Sequence, residues 1–271
     1  MRMCGKWPIG LTSWSYKKPI GEFLSICSAL ELDHAQIQLQ PALKGDKAWL
    51  QAVKDSGICV TSTMLNYDWD DYTNHETIRR TCGITPDEHW EEARDIFARA
   101  VDMTVELKST CILLHLGFLD HTNPEVSAKF KERTRTIADI AAKAGVTILL
   151  ETGMESGAEL RQFLDEMDHP ALAVNFDPAN LMSYQKDTPM PALDALFPYV
   201  RQVHAKDTIP SPIPGHWASE QVWGDGVVNA NFFLKELERR GFEGFINIER
   251  EHGTNPVRDA GLAVRRLEAF A

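Results

Sequence analysis

Four residues with metal-binding side chains each end a strand-like run in the second half of the chain. They are Glu151, Asp177, His204 and Glu249. Three carboxylates and one imidazole form a hard, oxygen-rich ligand set, which suits Mn²⁺, Mg²⁺ or Co²⁺, with Zn²⁺ as an alternative. A single such residue is more often a polar cap at a strand end. Four on consecutive strands favour a metal site, because barrel enzymes place their catalytic groups at strand ends.

The runs that carry these residues alternate with helix-like segments and span 147–151, 173–177, 200–204 and 245–249. Such alternation indicates a parallel sheet, in which the carboxyl ends of all strands meet at one rim. Residues two apart on a strand share a face. The four side chains therefore point the same way as Leu149, Asn175, Gln202 and Asn247, and the residues between them are apolar.

The first half of the chain continues the pattern, with candidate strands at 8–12, 35–40, 58–63 and 111–116. Eight strand–helix units in 271 residues match a (β/α)8 barrel, which typically takes about 250 residues. We predict one α/β domain over 1–271, a single TIM barrel. The alternative is an open doubly wound sheet with a nucleotide site. The chain has neither a G-x-G-x-x-G motif after the first strand nor a Walker-type loop, which disfavours that alternative.

Composition limits the partners of the protein. A formal net charge of −11 disfavours nucleic acid, whose binding depends on neutralising phosphates. The five cysteines are scattered without CxxC spacing, which is typical of buried thiols in a reducing cytosol. No apolar run approaches the ~20 residues of a membrane span. We expect a cytoplasmic protein without a nucleic-acid or membrane partner, and a homo-oligomer, dimer or tetramer, is compatible with these features.

The segment 64–87 is an unusually long connection between a strand and a helix, rich in Asp, Asn, Tyr and Trp. Connections longer than about 15 residues in compact domains are usually functional lids or disordered linkers. The aromatic residues Tyr67, Trp69 and Tyr72 favour a structured lid over the barrel mouth.

Several motifs carry a resemblance to a known family. They are LETG at 150–153, NFDPANL at 175–181, VHAKD at 203–207, WGDGVVN at 223–229, GFEGFINIE at 241–249 and the lid motif IRRTCGITPD at 78–87. The chain resembles the sugar phosphate isomerase/epimerase family, the xylose isomerase-like TIM barrels that also include endonuclease IV. The resemblance implies one divalent cation, Mn²⁺ first, held by Glu151, Asp177, His204 and Glu249.

Three positions depart from better-understood members. Asn180 stands where ketose 3-epimerases place a histidine, and Pro210 stands where they place an arginine. Gln38 stands where many relatives carry a glutamate. These differences indicate a binding pocket unlike that of a free-ketose 3-epimerase.

The candidate substrate-binding residues are His115, Asn180, Lys206, Gln38 and Trp14. His115 has inward parity and either contacts a substrate hydroxyl or is a hydrogen-bonded barrel histidine. Lys206 shares the face of His204 and either meets a substrate oxygen or phosphate, or pairs with Asp207 or Glu249. Trp14 forms either a wall against a sugar ring or part of the core.

The predicted reaction is isomerisation or epimerisation of a small carbohydrate with a carbonyl group. A cation that chelates the carbonyl and its neighbouring hydroxyl stabilises the enediolate formed by proton loss. Glu151 and Glu249, from different sides of the mouth, could exchange acid and base roles. The first alternative is dehydration or β-elimination of a keto-sugar or inosose on the same site.

Two further alternatives belong to other classes. Endonuclease IV-like phosphodiester hydrolysis needs several metals and a basic DNA-binding face. Gln38, in place of a glutamate, and the negative net charge of the chain both disfavour it. A catalytically silent sugar-binding barrel is disfavoured by the presence of both glutamates.

Overall fold

Eight parallel strands form a closed barrel in the computed structural model, which describes residues 1–270. The strands, including β1, β9 and β10 outside the barrel, are β1 (Met3–Cys4), β2 (Trp7–Thr12), β3 (His34–Gln38), β4 (Cys59–Met64), β5 (Cys111–Leu114), β6 (Thr147–Glu151), β7 (Leu172–Phe176), β8 (Val200–Ala205), β9 (Asp207–Ile209), β10 (Ser219–Gln221) and β11 (Phe245–Ile248). The barrel runs β2-β11-β8-β7-β6-β5-β4-β3, and pairing of β3 with β2 closes it. The predicted TIM barrel is confirmed.

Helices surround the barrel and cover the outward faces of its strands. They are α1 (Ile20–Ala29), α2 (Gln40–Leu43), α3 (Lys47–Ser56), α4 (His75–Thr81), α5 (Trp90–Glu106), α6 (Pro124–Lys143), α7 (Gly157–Met167), α8 (Pro178–Ser183), α9 (Pro189–Leu196), α10 (Ala230–Arg239) and α11 (Pro256–Glu268). The outward residues Leu150, Phe176, Val203 and Ile248 are buried, as their parity predicts. Within residues 1–270, no helix combines the length and apolar character needed to cross a membrane.

Two predicted strands end two residues earlier than the sequence pattern suggests, and those predicted at 173–177 and 245–249 end one residue earlier, at Phe176 and Ile248. The strand predicted at 35–40 stops at Gln38, because Gln40 begins α2 and Pro41 occupies its first turn, where a missing N–H costs nothing. The strand predicted at 111–116 stops at Leu114, so His115 follows the strand instead of ending it. The inserted loop at 208–225 contains the antiparallel hairpin of β9 and β10.

A layer of buried amide and hydroxyl side chains crosses the barrel interior. The amide of Gln202 accepts from Gln36 at 2.9 Å and from Asn247 at 3.2 Å, and Thr61 donates to Asn247 at 3.3 Å. Gln36 and Asn247 are fully buried. Buried polar groups need such partners, and a connected network specifies one arrangement of its members.

Gly10 on β2 has no side chain and so makes room for this polar layer. A Cβ at Gly10 would lie 2.3 Å from the Asn247 Oδ1 atom and 3.0 Å from the backbone oxygen of His34. The absence of a side chain therefore lets Asn247 cross the barrel.

We expect Gly10→Ala to lower the free energy of unfolding by about 1–3 kcal/mol, because overpacking displaces a buried hydrogen-bonded side chain. Gly21→Ala is the matched control, since no atom lies within 4 Å of the added methyl group and the site is helical. That change should stabilise by about 0.4–1 kcal/mol. Urea unfolding in the presence of a chelator measures both, and equal effects of the two variants would contradict the tight contact.

Candidate functional site

Four strands bring Glu151, Asp177, His204 and Glu249 to one point at the barrel mouth. The Nδ1 atom of His204 lies 3.2 Å from Glu151 Oε1, 3.2 Å from Asp177 Oδ2 and 3.0 Å from Glu249 Oε2. One ligand atom of each residue lies within 4.8 Å of the others. The residues are between 0% and 6% exposed. The sequence therefore predicted the members of a real side-chain cluster, and their role as metal ligands stays a prediction.

The Asp177 carboxylate is oriented by the helix that follows it. Its Oδ1 atom accepts from the backbone N–H groups of Ala179 and Asn180, each at 2.8 Å, and so caps α8. Pro178 occupies the first turn, where its fixed φ suits a helix start. With Oδ1 committed to the cap, Oδ2 faces His204.

A directional chain of hydrogen bonds fixes the tautomer of His204. The Gln202 amide donates to the backbone oxygen of Thr61 at 2.6 Å, so its Oε1 atom must face Gln36. Gln36 donates to that oxygen and turns its own Oε1 atom to His204 Nε2, at 2.8 Å. Because a carbonyl oxygen only accepts, Nε2 carries a proton, and Nδ1 is left facing the three carboxylates.

Charge at the cluster is balanced by neighbouring cations. Burial alone lowers the pKa of His204, but the carboxylates of Glu249 and Glu151 outweigh burial and hold that pKa well above its usual value. Burial raises the pKa of Glu249, but Lys206 and His204 bring it well below the ordinary range. Burial raises the pKa of Asp177 to about 6, against the attraction of Lys206.

The donor set fits a divalent cation. The Nδ1 atom of His204 faces three carboxylate oxygens at about 3 Å, and the lone pair of an unprotonated nitrogen would repel the lone pairs of those oxygens. The nitrogen must therefore either carry a proton or share a metal ion with the carboxylates. Neutral imidazole nitrogen and carboxylate oxygens are common ligands of the hard divalent ions, and the Gln36 contact is the outer-shell bond that metal-binding histidines usually make.

A cavity of about 880 Å³ opens above the cluster. Glu151 and Glu249 line it, and so do all five predicted substrate-binding residues: Trp14, Gln38, His115, Asn180 and Lys206. Asp177 and His204 do not line it and lie behind the glutamates. The predicted residues thus share one cavity, although their contact with a substrate stays a prediction.

Lys206 and Asn180 connect the two glutamates. Asn180 donates to Glu151 Oε1 at 2.9 Å and accepts from Lys206 Nζ at 3.1 Å. Lys206 also donates to Glu249 Oε2 at 3.1 Å and to Glu251 at 3.2 Å. The predicted Lys206–Glu249 pair is therefore present.

The alternative Lys206–Asp207 pair is wrong. Neighbouring residues of an extended segment point to opposite sides, and the buried Asp207 carboxylate instead accepts from backbone N–H groups. Its four donors are Thr208, Gly224, Gly226 and Val228, at 2.8 to 3.1 Å. Asp207 thereby orders the loop that follows the β9–β10 hairpin.

Trp14 and His115 flank the cluster in different ways. The Trp14 indole N–H donates to Glu249 Oε1, and its ring lies 6.0 Å from the His204 ring. The His115 Nε2 atom is 3.6 Å from Glu151 Oε2, which is longer than a hydrogen bond. Its buried Nδ1 atom makes no hydrogen bond within residues 1–270, so His115 is not the fully hydrogen-bonded barrel histidine that was one alternative.

The segment 64–87 forms an ordered cover that contains α4. Asn66, Tyr67, Asp70 and Tyr72 line the cavity. Gly83 closes the base of the cover, because its N–H donates to Asp70 at 2.8 Å and its carbonyl accepts from the Trp69 indole at 3.0 Å. The part that could move as a lid is therefore the stretch 71–82, between these two ties.

Sequence reasoning missed several residues of the site. The inward parity of Gln36 was visible, but its contact with His204 depends on a strand across the barrel. Glu251 lies two residues after Glu249, and this spacing was the one signal for it. The contact between Tyr184 and Trp217 was missed as well, because the two residues reach the cavity from separate loops and no sequence spacing relates them.

The cluster is compatible with one ion. Within residues 1–270, the four-residue cluster is the one group of three or more His, Cys, Asp or Glu side chains close enough to share an ion. The strand ends nearest to it on the other side of the barrel carry Gln38 and Met64. This arrangement gives no support to the multi-metal site that the nuclease alternative requires.

Comparison with known proteins identifies the family of the chain. A family model described as xylose isomerase-like TIM barrel matches residues 26–270. The L-ribulose-5-phosphate 3-epimerase UlaE of Salmonella typhi is 23% identical over 224 residues, which cover 80% of this chain and 74% of that protein. The ketose 3-epimerase of Arthrobacter globiformis is 24% identical over 167 residues, 57% of this chain and 54% of that protein.

A solved structure agrees in fold along nearly the whole chain. The crystal structure of a xylose isomerase domain protein from Planctomyces limnophilus superimposes with a TM-score of 0.88 at 28% identity, covering 97% of each chain. The family resemblance read from the sequence is confirmed.

We expect Gln36→Met to weaken Mn²⁺ binding by about 10–100-fold, because loss of an outer-shell partner leaves the His204 ring and tautomer unfixed. Calorimetric titration with Mn²⁺ measures this change. Gln51→Leu, an exposed glutamine on α3, is the matched control and should bind Mn²⁺ normally. His204→Ala should lose most of the bound ion, and full binding by both site variants would contradict the proposed ligand set.

Proposed function

We propose that this chain, which belongs to the xylose isomerase-like TIM barrel family, is a metal-dependent sugar isomerase or epimerase that moves a proton beside a carbonyl group. The sugar epimerases among its relatives support this class of reaction. The observation that carries the proposal is the pair of glutamates that face one cavity from the buried cluster.

The proposed ligands of the ion are Glu151, Asp177, His204 and Glu249, with Mn²⁺ first and Mg²⁺, Co²⁺ or Zn²⁺ as alternatives. When bound, the ion supplies a Lewis acid for the carbonyl and neighbouring hydroxyl oxygens of the sugar. Asp177 acts as a ligand alone, because one of its oxygens caps α8 and its side chain does not reach the cavity.

Glu151 and Glu249 are the proposed proton-transfer pair, and their hydrogen bonds differ. No hydrogen bond reaches Glu151 Oε2 from residues 1–270, so this oxygen is free to accept a proton from substrate. Both oxygens of Glu249 already accept, from Trp14 and from Lys206. These donors stabilise ionised Glu249, which is the state that a carboxylate needs before it accepts a proton from the opposite side of the sugar.

The remaining cavity residues bind and orient the sugar in this proposal. Lys206 and Asn180 carry donors next to both glutamates, and His115 faces Glu151 with a second ring nitrogen unbonded within the described chain. Gln38 offers an amide at the opposite side of the cavity. The Lys206 ammonium donates to sugar oxygens, and the neutral amides of Asn180 and Gln38 both donate to and accept from sugar hydroxyl groups.

A keto-sugar or inosose dehydratase is the alternative for the same site, because elimination begins with the same proton loss. The two reactions differ in their products: an epimer keeps every hydroxyl group, whereas elimination releases water. Analysis of the products for loss of water distinguishes them.

We expect Glu151→Gln and Glu249→Gln each to lose about 10²–10⁴-fold in turnover, because the amide keeps an oxygen near the ion but cannot accept the proton. Deuterium wash-in from D₂O at the carbon beside the carbonyl separates the two roles. The variant that lacks the abstracting glutamate shows no exchange, while the other still exchanges without completing turnover. The opposite epimer should reverse the assignment.

Glu243→Gln, an exposed glutamate ahead of β11, is the matched control and should keep full activity. Variants of Glu151 and Glu249 that bind the ion and sugar and still turn over normally would reduce the pair to structural ligands. His115 or Lys206 would then become the leading base.

We also propose that the stretch 71–82 opens to admit substrate and closes over it. Trypsin should cut after the exposed Arg79 or Arg80 of α4 more slowly when Mn²⁺ and a bound sugar are present. The exposed Lys6, in the turn between β1 and β2, provides an internal reference for cleavage. Equal rates with and without ligand would contradict a lid.

A further inference from the structure

We infer that the substrate is an uncharged sugar of two linked units, with the reacting unit at the cluster and the second unit against Tyr184 and Trp217. The position of the reacting unit rests on the proposed function. The second unit rests on the size, the aromatic surfaces and the charge of the cavity.

The cavity is larger than one sugar ring requires. Its volume of about 880 Å³ lies near the upper end of the roughly 300–1,000 Å³ typical of sites for drug-sized ligands. A single monosaccharide is smaller than such ligands and leaves much of the space filled with water. Two linked rings fill more of the space and bury more of their apolar faces.

Two aromatic surfaces lie at different distances from the cluster. Trp14 lies against His204 at the inner end. The rings form a series of neighbours that starts at Glu151: His115 Nε2 lies 3.6 Å from Glu151 Oε2, and the Tyr184 ring centroid lies 6.3 Å from that of His115. Trp217 stands edge-on to Tyr184 at 5.0 Å. Tyr184 and Trp217 therefore begin beyond the first ring position, where the second unit of a two-ring sugar would lie.

The outer aromatic pair packs partly on the barrel rim and partly on α4 of the cover. A Cβ at Gly153, which has φ +151°, would lie 2.9 Å from the Tyr184 ring, so a glycine there lets the backbone approach the ring. Trp217 packs on His75 of α4 with ring centroids 4.4 Å apart. Tyr184 is buried beside Ile78, and Trp217 stays only half-buried. With the cover closed, the half-exposed ring of Trp217 is suited to the apolar face of a sugar.

The charges around the cavity disfavour a phosphate group. Five carboxylates line it, against two lysines and no arginine among the lining residues. Lys206 is committed to Glu249 and Glu251. Lys17 is the remaining lysine, and its side chain is exposed at the mouth. Phosphate recognition usually employs several charge-assisted donors, often from arginine, and one exposed lysine does not provide them.

The uncharged groups of the outer cavity suit hydroxyl recognition instead. Asn66, Ser183, Thr208 and Ser219 line the cavity near the two loops. Their side chains donate and accept without a net charge, as the hydroxyl groups of a glycoside do.

The test compares binding to the Mn²⁺-loaded protein by calorimetry. The probes are the keto-disaccharides turanose, isomaltulose and lactulose, the single-ring ketose fructose, and fructose 6-phosphate. We expect at least one disaccharide to bind 10-fold or more tightly than fructose and fructose 6-phosphate. Trp217→Ala should remove at least 10-fold of that affinity, while Trp217→Phe keeps most of it.

Phe232→Ala is the matched control, because Phe232 is an aromatic residue of α10 exposed outside the cavity, and its removal should change nothing. Three results would overturn the inference. They are tightest binding of fructose 6-phosphate with loss of that binding in Lys17→Ala, equal affinities for one-ring and two-ring probes, and a Trp217→Ala change that affects fructose as much as the disaccharides.

Deuterium wash-in with the same ketoses separates this inference from the proposed function. Wash-in without a preference for two-ring probes overturns the two-unit substrate alone. A Trp217-dependent preference for a disaccharide without wash-in on any ketose overturns the proposed chemistry alone.

Discussion

The burial of three carboxylates around a single point is the constraint on which the rest of the site depends. Glu151, Asp177 and Glu249 are almost removed from water, and unpaired charges in such a place are expensive. Lys206 supplies part of the compensating charge, and the Nδ1 position of His204 is where a proton or a divalent ion must supply the rest. In the proposed function, a bound divalent ion offsets the free-energy cost of burying these charges.

The barrel meets that constraint by holding each member of the cluster through a separate part of the fold. A helix cap orients Asp177, an indole N–H orients Glu249, and the Asn180 amide orients Glu151. His204 is held from below by the amide layer. The backbone carbonyl of Thr61 accepts the first hydrogen bond of this layer and so sets the donor–acceptor order up to His204. Because these supports come from different strands and helices, the cluster is a property of the closed barrel and not of any local motif.

Sequence reasoning predicted the fold and the cluster because strand parity and strand ends are local properties. The same reasoning missed contacts that cross the barrel, such as Gln36 with His204, and those between loops, such as Tyr184 with Trp217. It paired Lys206 with Asp207 as one alternative, although extended neighbours face apart. The strand end at Gln38 was missed because the turn into α2 depends on Pro41, whose preference for a helix start outweighed the alternating pattern.

Anomalous diffraction from crystals grown with Mn²⁺ tests the central claim most directly, because it locates the ion without reference to activity. We expect one strong peak per chain within coordination distance of Glu151, Asp177, Glu249 and the Nδ1 atom of His204, with Nε2 still bonded to Gln36. No peak at the cluster, a second peak beside the first, or an ion bound through Nε2 would contradict it.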